Sequence, residues 1–303
     1  MIIHVTENVP LDLGPVQVPV AGISNATPGQ AQTAENGRPH IHAEVGRYRL
    51  RMAQNVEDRD AACRLRFRVF NIELGEGLES SYQTGLDSDQ FDLFCEHLLV
   101  EDKLSRCIVG TYRMQSGQSA ARNLGYYSEQ EFHLAPYEAL RSGILELGRA
   151  SIDREHRTPE VLTLLWRGIA QYATDMGLQY LIGCSSLNSQ DPAEGWQMYR
   201  QLEQFRVARE YETVPTERFA CPSEHIGRYS QQPAQQESTD LQTQAPIPVK
   251  IPRLLKTYLA IGARIAAPPA WDREFGTIDF LTLLDLKTLS PAARNRFLAP
   301  LTQ

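Results

Sequence analysis

The chain contains no apolar run near the roughly 20 residues that a membrane-spanning helix requires. Its first residues, Met1-Ile2-Ile3-His4-Val5-Thr6-Glu7, carry neither a basic segment nor the apolar core of a secretory signal. Residence in the cytoplasm is the expectation, with peripheral contact at the inner face of the membrane left open. Basic charge is short as well: 30 Lys and Arg stand against 37 Asp and Glu, a formal net charge of −7. General nucleic-acid binding needs a basic face, so no nucleic-acid partner is expected. Cysteine is sparse and odd in number, with Cys63, Cys95, Cys107, Cys184 and Cys221 and no Cys-x-x-Cys spacing. That argues against a disulfide framework or a zinc site; reduced, mostly buried thiols are expected. Cys95-x-His97 alone is too thin for a metal site, and no metal is expected. Gly183-Cys184-Ser185-Ser186-Leu187 lacks the closing glycine of a Gly-x-Ser-x-Gly elbow, which argues against a serine hydrolase. No amphipathic segment has the basic polar face of a membrane-lysing helix, and no internal repeat is present.

What is present is an ordinary globular composition, 42% hydrophobic and 22% charged, in a 303-residue chain with ample material for a core. The pattern is organised around residues 145–176. Leu145, Leu147, Ala150 and Ile152 mark a core strand that also carries Glu146 and Arg149. Burying such charges costs several kcal/mol, on the order of 3–5, unless they are paired or used. Three residues apart on a strand, they point to opposite faces, so either Gly148 makes a bulge or each charge has its own partner. Thr158 then caps a helix with Pro159 at its first position; Val161, Leu162, Leu165, Ile169, Tyr172 and Ala173 follow at helical spacing, and Gly177 ends it.

Around this core, residues 1–46 are rich in Pro, Gly, Ala, Thr and Gln and are expected to be a mobile arm. Residues 47–289 are expected to form the folded domain, with an irregular insertion at about 188–250 that contains a Gln-, Pro- and Ser-rich connector, 231–246. A helix and tail are expected over 290–303. Within the domain, a strand is predicted near 47–52, a helix capped by Asn55 to about Ile72, and a hairpin of strands at 97–100 and 107–114. A helix over 126–140 is predicted next. The strand and helix of 145–176 follow, then a strand over 178–187 and a short helix around Trp196, Tyr199 and Leu202. A helix from Pro252 to Gly262 and strands near 264–267 and 278–286 close the domain. This is an α/β (α+β) order: a mixed, mostly antiparallel sheet with helices on both faces.

The order is similar to the GNAT fold of N-acyltransferases. The spacing Arg66-x-x-x-Phe70, Asp87-x-Asp89-x-x-Asp92, Arg113, Glu146-x-x-Arg149 resembles the acyl-homoserine-lactone synthases. A closer resemblance is to the L-ornithine Nα-acyltransferases of ornithine-lipid synthesis, sometimes labelled hemolysin-like. It is carried by Asp89-Gln90-Phe91-Asp92 with Cys95 to Val100, by Val109 to Arg113, by Leu145 to Arg149, by Leu164 to Ala170 and by Pro269 to Phe280. Two departures stand out. The tryptophan that lactone synthases carry after Arg-x-x-x-Phe is absent, with Glu76 in that neighbourhood, which weighs against a lactone product. The glycine-rich coenzyme-A loop of ordinary GNAT enzymes is replaced by Arg154-Glu155-His156-Arg157-Thr158-Pro159. That favours acyl carrier protein, with its acyl-phosphopantetheine arm, as donor over acyl-coenzyme A.

The resemblance implies an N-acyltransferase that moves a (3-hydroxy) fatty acyl chain onto the α-amine of an amino acid, with ornithine the expected acceptor and no bound cofactor. Glu146 is the expected proton acceptor, with Arg113 and Arg149 as its catalytic companions; a purely structural ion pair of Glu146 is the alternative. Asp87, Asp89 and Asp92, with Arg66 and Phe70, are the expected substrate-binding set. The other possibilities are a solvated acidic loop or a clamp on Arg66. Arg154, Arg157 and Thr158 are expected on the donor side, at a helix N-terminus suited to a phosphodiester. Phe67, Phe70 and Trp166 line either an acyl tunnel or plain core, Arg64, Arg66 and Arg68 dock the carrier protein or are a solvated face, and His97 is a second base or a structural residue. A signalling N-acyl amino acid synthase and a non-catalytic acyl-binding protein on the same scaffold are the competing functions.

Overall fold

The computed structural model describes residues 39–222 and 248–297. The strands are β1 (His42–Val45), β2 (Tyr48–Met52), β3 (Glu96–Asp102), β4 (Cys107–Ser116), β5 (Ile144–Ile152), β6 (Tyr180–Leu187), β7 (Arg264–Ile265), β8 (Ala270–Asp272) and β9 (Thr277–Asp285). The helices are α1 (Val56–Phe67), α2 (Ser81–Thr84), α3 (Gly117–Arg122), α4 (Pro159–Asp175), α5 (Pro192–Gln201), α6 (Arg253–Ile261) and α7 (Pro291–Phe297). The strands form one sheet in the order β1-β2-β3-β4-β5-β6-β9-β7, with β8 on β9. Every pairing is antiparallel except β5 with β6, which α4 joins as a crossover.

Helices cover both faces, as the composition of the strands requires. Leu98 and Val100 pack with Leu50, Val161, Leu165 and Ile169 beneath α4, while Leu99 between them packs with Ala62, Leu65 and Val69 of α1. An uninterrupted apolar triplet is what a strand covered on both faces needs. Gly168 lets α4 settle close on β2 and β3: a Cβ there would lie 2.9 Å from methyl carbons of Leu50 and Leu98. Caps stand where expected: Asn55 accepts from the Asp58 N–H, and Thr158 from the Val161 N–H ahead of Pro159.

Three boundaries differ from expectation. The sheet begins at His42, inside the stretch assigned to the arm, because Ile41 and Ala43 are buried against the α4 side; four residues are too short a run to show periodicity. Residues 126–140 form no α-helix but two 3₁₀ segments, Tyr127–Gln130 and Ala135–Gly143. Between them Phe132 bridges to Pro215, and His133 donates its N–H to the Val214 carbonyl. A long-range pairing thus overrides local helical spacing. In the insertion, the expected short helix is α5, but the chain beyond it to Pro222 is also ordered against the domain, with the Trp196 indole donating to the Pro222 carbonyl. Residues 1–38 of the expected arm, the 231–246 connector and residues 298–303 lie outside the described residues. Among the described residues no helix is long and apolar enough to cross a membrane.

Candidate active site

Two irregularities in β5 create the site. The first is a bulge. Thr111 pairs with Ser151 and Arg113 with Gly148, so Tyr112 faces both Arg149 and Ala150. The extra residue is Arg149 itself, at φ +51°, and not Gly148. A non-glycine residue there costs about 1–2 kcal/mol, which its ion pairs offset. The bulge brings Arg149 to the face that already presents Glu146, Arg113 and Gln115, while Ala150 and Ile152 return to the α4 core. Of the two sequence alternatives, the bulge exists but is made by Arg149 and not by Gly148, and each charge has its own partners.

The second irregularity is a fork. β5 and β6 pair only from Ile144↔Tyr180 to Glu146↔Ile182, although both strands continue. Gly183 allows β6 to pass the Leu147 carbonyl, which a Cβ would strike. On one side of the fork lies an apolar pocket between Leu147, Trp166, Leu181, Ile182 and Tyr258. On the other lies a polar cavity, partly open to solvent, lined by side chains from β4, β5, β6 and β9 and by Tyr127, Ser128, Glu131, Asp272 and Phe275. Leu147 and the fork connect the two.

Arg113 and Arg149, which line the polar cavity, belong to an array of three arginines and three aspartates behind its wall. Arg66, 0% exposed, forks onto Asp92 at 2.8 and 2.7 Å, approaches the Asp87 carboxylate at 3.3 Å and also donates to the Asp87 carbonyl. Arg113 donates to both Asp89 oxygens at 2.7 Å and reaches Asp92 at 3.3 Å. Arg149 bridges Asp89 at 3.1 Å and Asp87 at 3.4 Å. Tyr127 stacks beneath Arg113 and Arg149 at 5.1 and 5.2 Å, and Phe275 beneath Arg149 at 4.5 Å. Against the upward push of burial, Arg66 and Arg113 hold Asp92 far below the usual carboxylate range, and Arg113 and Arg149 do the same, less strongly, for Asp89. Asp89 and Asp92 also form a reciprocal capping box, Asp89 accepting from the Phe91 N–H and Asp92 from the Asp89 N–H. Asp87, Asp89 and Asp92, expected in the substrate-binding set, are each paired with guanidinium groups of the chain itself, and the clamp on Arg66 given as an alternative is among these pairs. Of that set, Phe70 lines the cavity and Arg66 lies beneath it.

Glu146 faces the same cavity in a different condition. It accepts the Tyr127 N–H at 2.8 Å and the Ser128 N–H at 2.7 Å. Burial raises its carboxyl above the ordinary value, while the Ser128 and Tyr127 hydrogen bonds and Arg113 oppose the rise. A carboxylate tuned upward and fixed by backbone donors is suited to taking up a proton. Beside it on β4, Gln115 is 2% exposed, and neither its amide oxygen nor its nitrogen has a hydrogen-bond partner. The thiols are poor nucleophiles here: burial pushes Cys95 up to about 12 and Cys184 well above its ordinary value. His97 is buried outside the cavity against Asp92, and burial with Arg66 nearby lowers it to about 4, so it is a neutral structural group.

The donor side is corrected as well. Arg157 turns inward, forking onto Glu73 at 2.5 and 2.6 Å and donating to the Ile152 carbonyl. Of the two arginines expected there, only Arg154 stands on the surface, at the end of β5, with Thr158 beyond it capping α4. Trp166 lines the apolar pocket edge-on to Tyr258, whereas Phe67 packs on Tyr82 away from both cavities. Arg64 and Arg68 are exposed, with Arg68 3.4 Å from Asp153.

Residues that spacing alone missed are Gln115, Tyr127, Ser128, Glu131, Asp272, Phe275 and Asp279. The last three lie in the quoted 269–280 stretch, where a Trp-Asp-Arg-Glu-Phe-Gly turn hinted at a formed loop. Tyr127, Ser128 and Glu131 were hidden in the misread 126–140 segment.

A parallel β5–α4–β6 crossover forked at its open end, with a buried carboxylate at the fork, defines a GNAT-fold acyltransferase, and residues 65–167 match the acetyltransferase (GNAT) domain family. The L-ornithine N(alpha)-acyltransferase of Brucella abortus is 30% identical, over 88% of this chain and 97% of that one. Its counterpart from Agrobacterium fabrum is also 30% identical, over 86% and 88%. The chain belongs to the L-ornithine N(alpha)-acyltransferase family. Among solved structures, FeeM, an N-acyl amino acid synthase from uncultured soil microbes, aligns at TM-score 0.48 and 12% identity, covering 84% of this chain and 97% of that one. A likeness that distant assigns no residue a role.

Proposed function

We propose that this protein transfers a fatty acyl chain from acyl carrier protein to the α-amine of L-ornithine, giving the lyso form of ornithine lipid. The observation that carries the assignment is Glu146, buried at the fork, held by two backbone N–H groups and open to the polar cavity. The neutral amine attacks the thioester carbonyl carbon, the C–N bond forms and the C–S bond breaks. Glu146 accepts the amine proton, directly or through a water, and the departing thiolate is protonated. Arg113 and Arg149 edge the cavity and are assigned to the acceptor's carboxylate, while their remaining N–H groups keep the aspartate array fixed.

The donor enters through the fork. Beyond Glu146 the β5 backbone has no β6 partner, which leaves edge groups for the amides of a phosphopantetheine arm, and the apolar pocket at Leu147 and Trp166 takes the acyl chain. Arg154 is the basic group available at the surface for its phosphodiester. A product with a fatty tail and a charged head partitions to a bilayer surface, which supports peripheral contact with the membrane.

The test incubates the protein with 3-hydroxyacyl carrier protein and ornithine and follows the amide by mass spectrometry. Glu146→Gln is expected to lower kcat by roughly 10²–10⁴ in a variant that still folds with a somewhat lowered melting temperature, because glutamine keeps an oxygen for one of the two N–H donors and sets its amide nitrogen against the other. Wild-type rates in that variant would make Glu146 structural. Equal efficiency with acyl-coenzyme A would overturn the carrier-protein assignment.

A further inference from the structure

The polar cavity has an acidic wall that this chemistry does not use. Glu131, Asp272 and Asp279 each place a carboxylate oxygen within 4.8 Å of the others. All three line the cavity and are at most 5% exposed. Asp272 accepts the Glu274 and Phe275 N–H groups at 2.9 Å, and one oxygen of Asp279 accepts from the Thr277 hydroxyl at 3.2 Å. The other Asp279 oxygen and Glu131 Oε2 have no partner, nor has either end of the Gln115 amide in the same cavity. No lysine or histidine lines the cavity, and its two arginines, Arg113 and Arg149, are engaged with Asp87, Asp89 and Asp92. Burial and then the neighbouring Asp279 and Asp272 push Glu131 well above the ordinary value, and burial with Asp279 raises Asp272. Arg149 offsets Asp272 only weakly.

We propose that Glu131, Asp272 and Asp279 hold the side-chain ammonium of the acceptor amino acid, so that these three carboxylates select a diamino acid over its neutral analogue. The inference rests on the ornithine assignment and adds the residues that make it. An ammonium carries three N–H donors in a compact head, and the cluster supplies three acceptors converging from one wall. A hard divalent ion needs six or more oxygens, and this cluster already gives part of its capacity to backbone and hydroxyl donors. The site also lies within reach of Glu146. Ser128 donates its N–H to Glu146, the Cys184 thiol donates to the Ser128 hydroxyl at 3.5 Å, and Cys184 feels the charges of Glu131, Asp279 and Glu146 together. One end of a short diamine therefore meets the proton acceptor while the other meets the acidic wall.

The test is calorimetric titration of the full chain, in EDTA, with ornithine and with norvaline, which has the same carbon skeleton and no side-chain amine. Ornithine is expected to bind at least about 100-fold more tightly, a floor well under the roughly 10⁴–10⁵ by which a polar site can reject a ligand that leaves its groups unpaired. Glu131→Gln and Asp279→Asn are each expected to reduce that ratio about tenfold or more, a change that general loosening of the fold would not produce, since it weakens both ligands alike. Equal binding of the two ligands by the wild type, or an unchanged ratio in both folded variants, overturns the proposal. So does a preference that appears only when a divalent ion is restored, which would make the cluster a metal site. Amide formation from norvaline as fast as from ornithine would sink the selectivity and leave acyl transfer standing, whereas failure to acylate any amino acid despite selective binding would sink acyl transfer alone.

Discussion

Two clusters of three carboxylates, one behind Arg113 and Arg149 and one on the wall of the polar cavity, are in opposite states. In the Asp87–Asp89–Asp92 cluster, every acid meets a guanidinium, and Asp89 and Asp92 are held below their ordinary range. In the Glu131–Asp272–Asp279 cluster, the acids face one another, and Glu131 and Asp272 are driven up. Charges balanced within the chain are fixtures that hold a loop and a bulge in place. Charges left unbalanced on a cavity wall are stable only as protonated groups or with a cation from outside. Residue type alone does not separate these cases; the count of opposite charges within reach does.

The comparison is broken most sharply by Arg66→Met. It leaves Asp87 and Asp92 buried with one cation fewer, so unfolding in urea is expected to show a loss of about 3–5 kcal/mol. A loss under 1 kcal/mol would mean the array is not what holds the 87–92 loop.

A pH series sharpens the contrast on the side of the unbalanced cluster. Burial, with Asp279 adding to it, pushes Glu76 up to about 7. The folded state then keeps a proton that the unfolded chain releases near pH 4.3, so Glu76 makes stability fall as pH rises from about 4.3 to 7 and adds no further slope above. Asp89 and Asp92, depressed when folded, have the opposite sign: their contribution is present above about pH 4 and is lost as pH falls below it. Glu76→Gln should therefore flatten only the neutral limb, with a gain on the order of 2 kcal/mol at pH 8 relative to pH 5, read from denaturant midpoints across pH. Parallel profiles for variant and wild type would remove Glu76 from the contrast.

The smallest effect is expected at the donor side. Arg154→Ala removes an exposed charge and should raise KM for the acyl carrier protein by about two- to fivefold, with kcat unchanged and the difference shrinking as salt is added. A salt-independent change would point away from electrostatic docking.

Much of the fold was legible. The 3.6-residue period of α4, its Thr158-Pro159 start and the apolar strands 97–100 and 145–152 are local features that need no partner to be recognised. That Glu146 and Arg149 need partners was legible too, since neither belongs unpaired in an apolar strand, and both line the polar cavity. What misled was connectivity. Asp89 and Asp92 read as substrate-binding acids, with a clamp on Arg66 only an alternative, because their arginines come from 26, 24 and 60 positions away in the chain. Arg157 read as a donor-side cation because Glu73, 84 positions off, is not visible locally. Glu131 drew no notice because it falls within 126–140, where the predicted helix is prevented by long-range contacts with Val214 and Pro215.

By itself the sequence determined the elements, their order and the family to which they belong, because helix caps, hydrophobic periods and short motifs act over a few residues. Only the tertiary structure decided which carboxylates are neutralised and which face the cavity. Electrostatic balance is set by distance in space and by exclusion of water, and both are properties of the packed sheet and its fork, not of any segment taken alone.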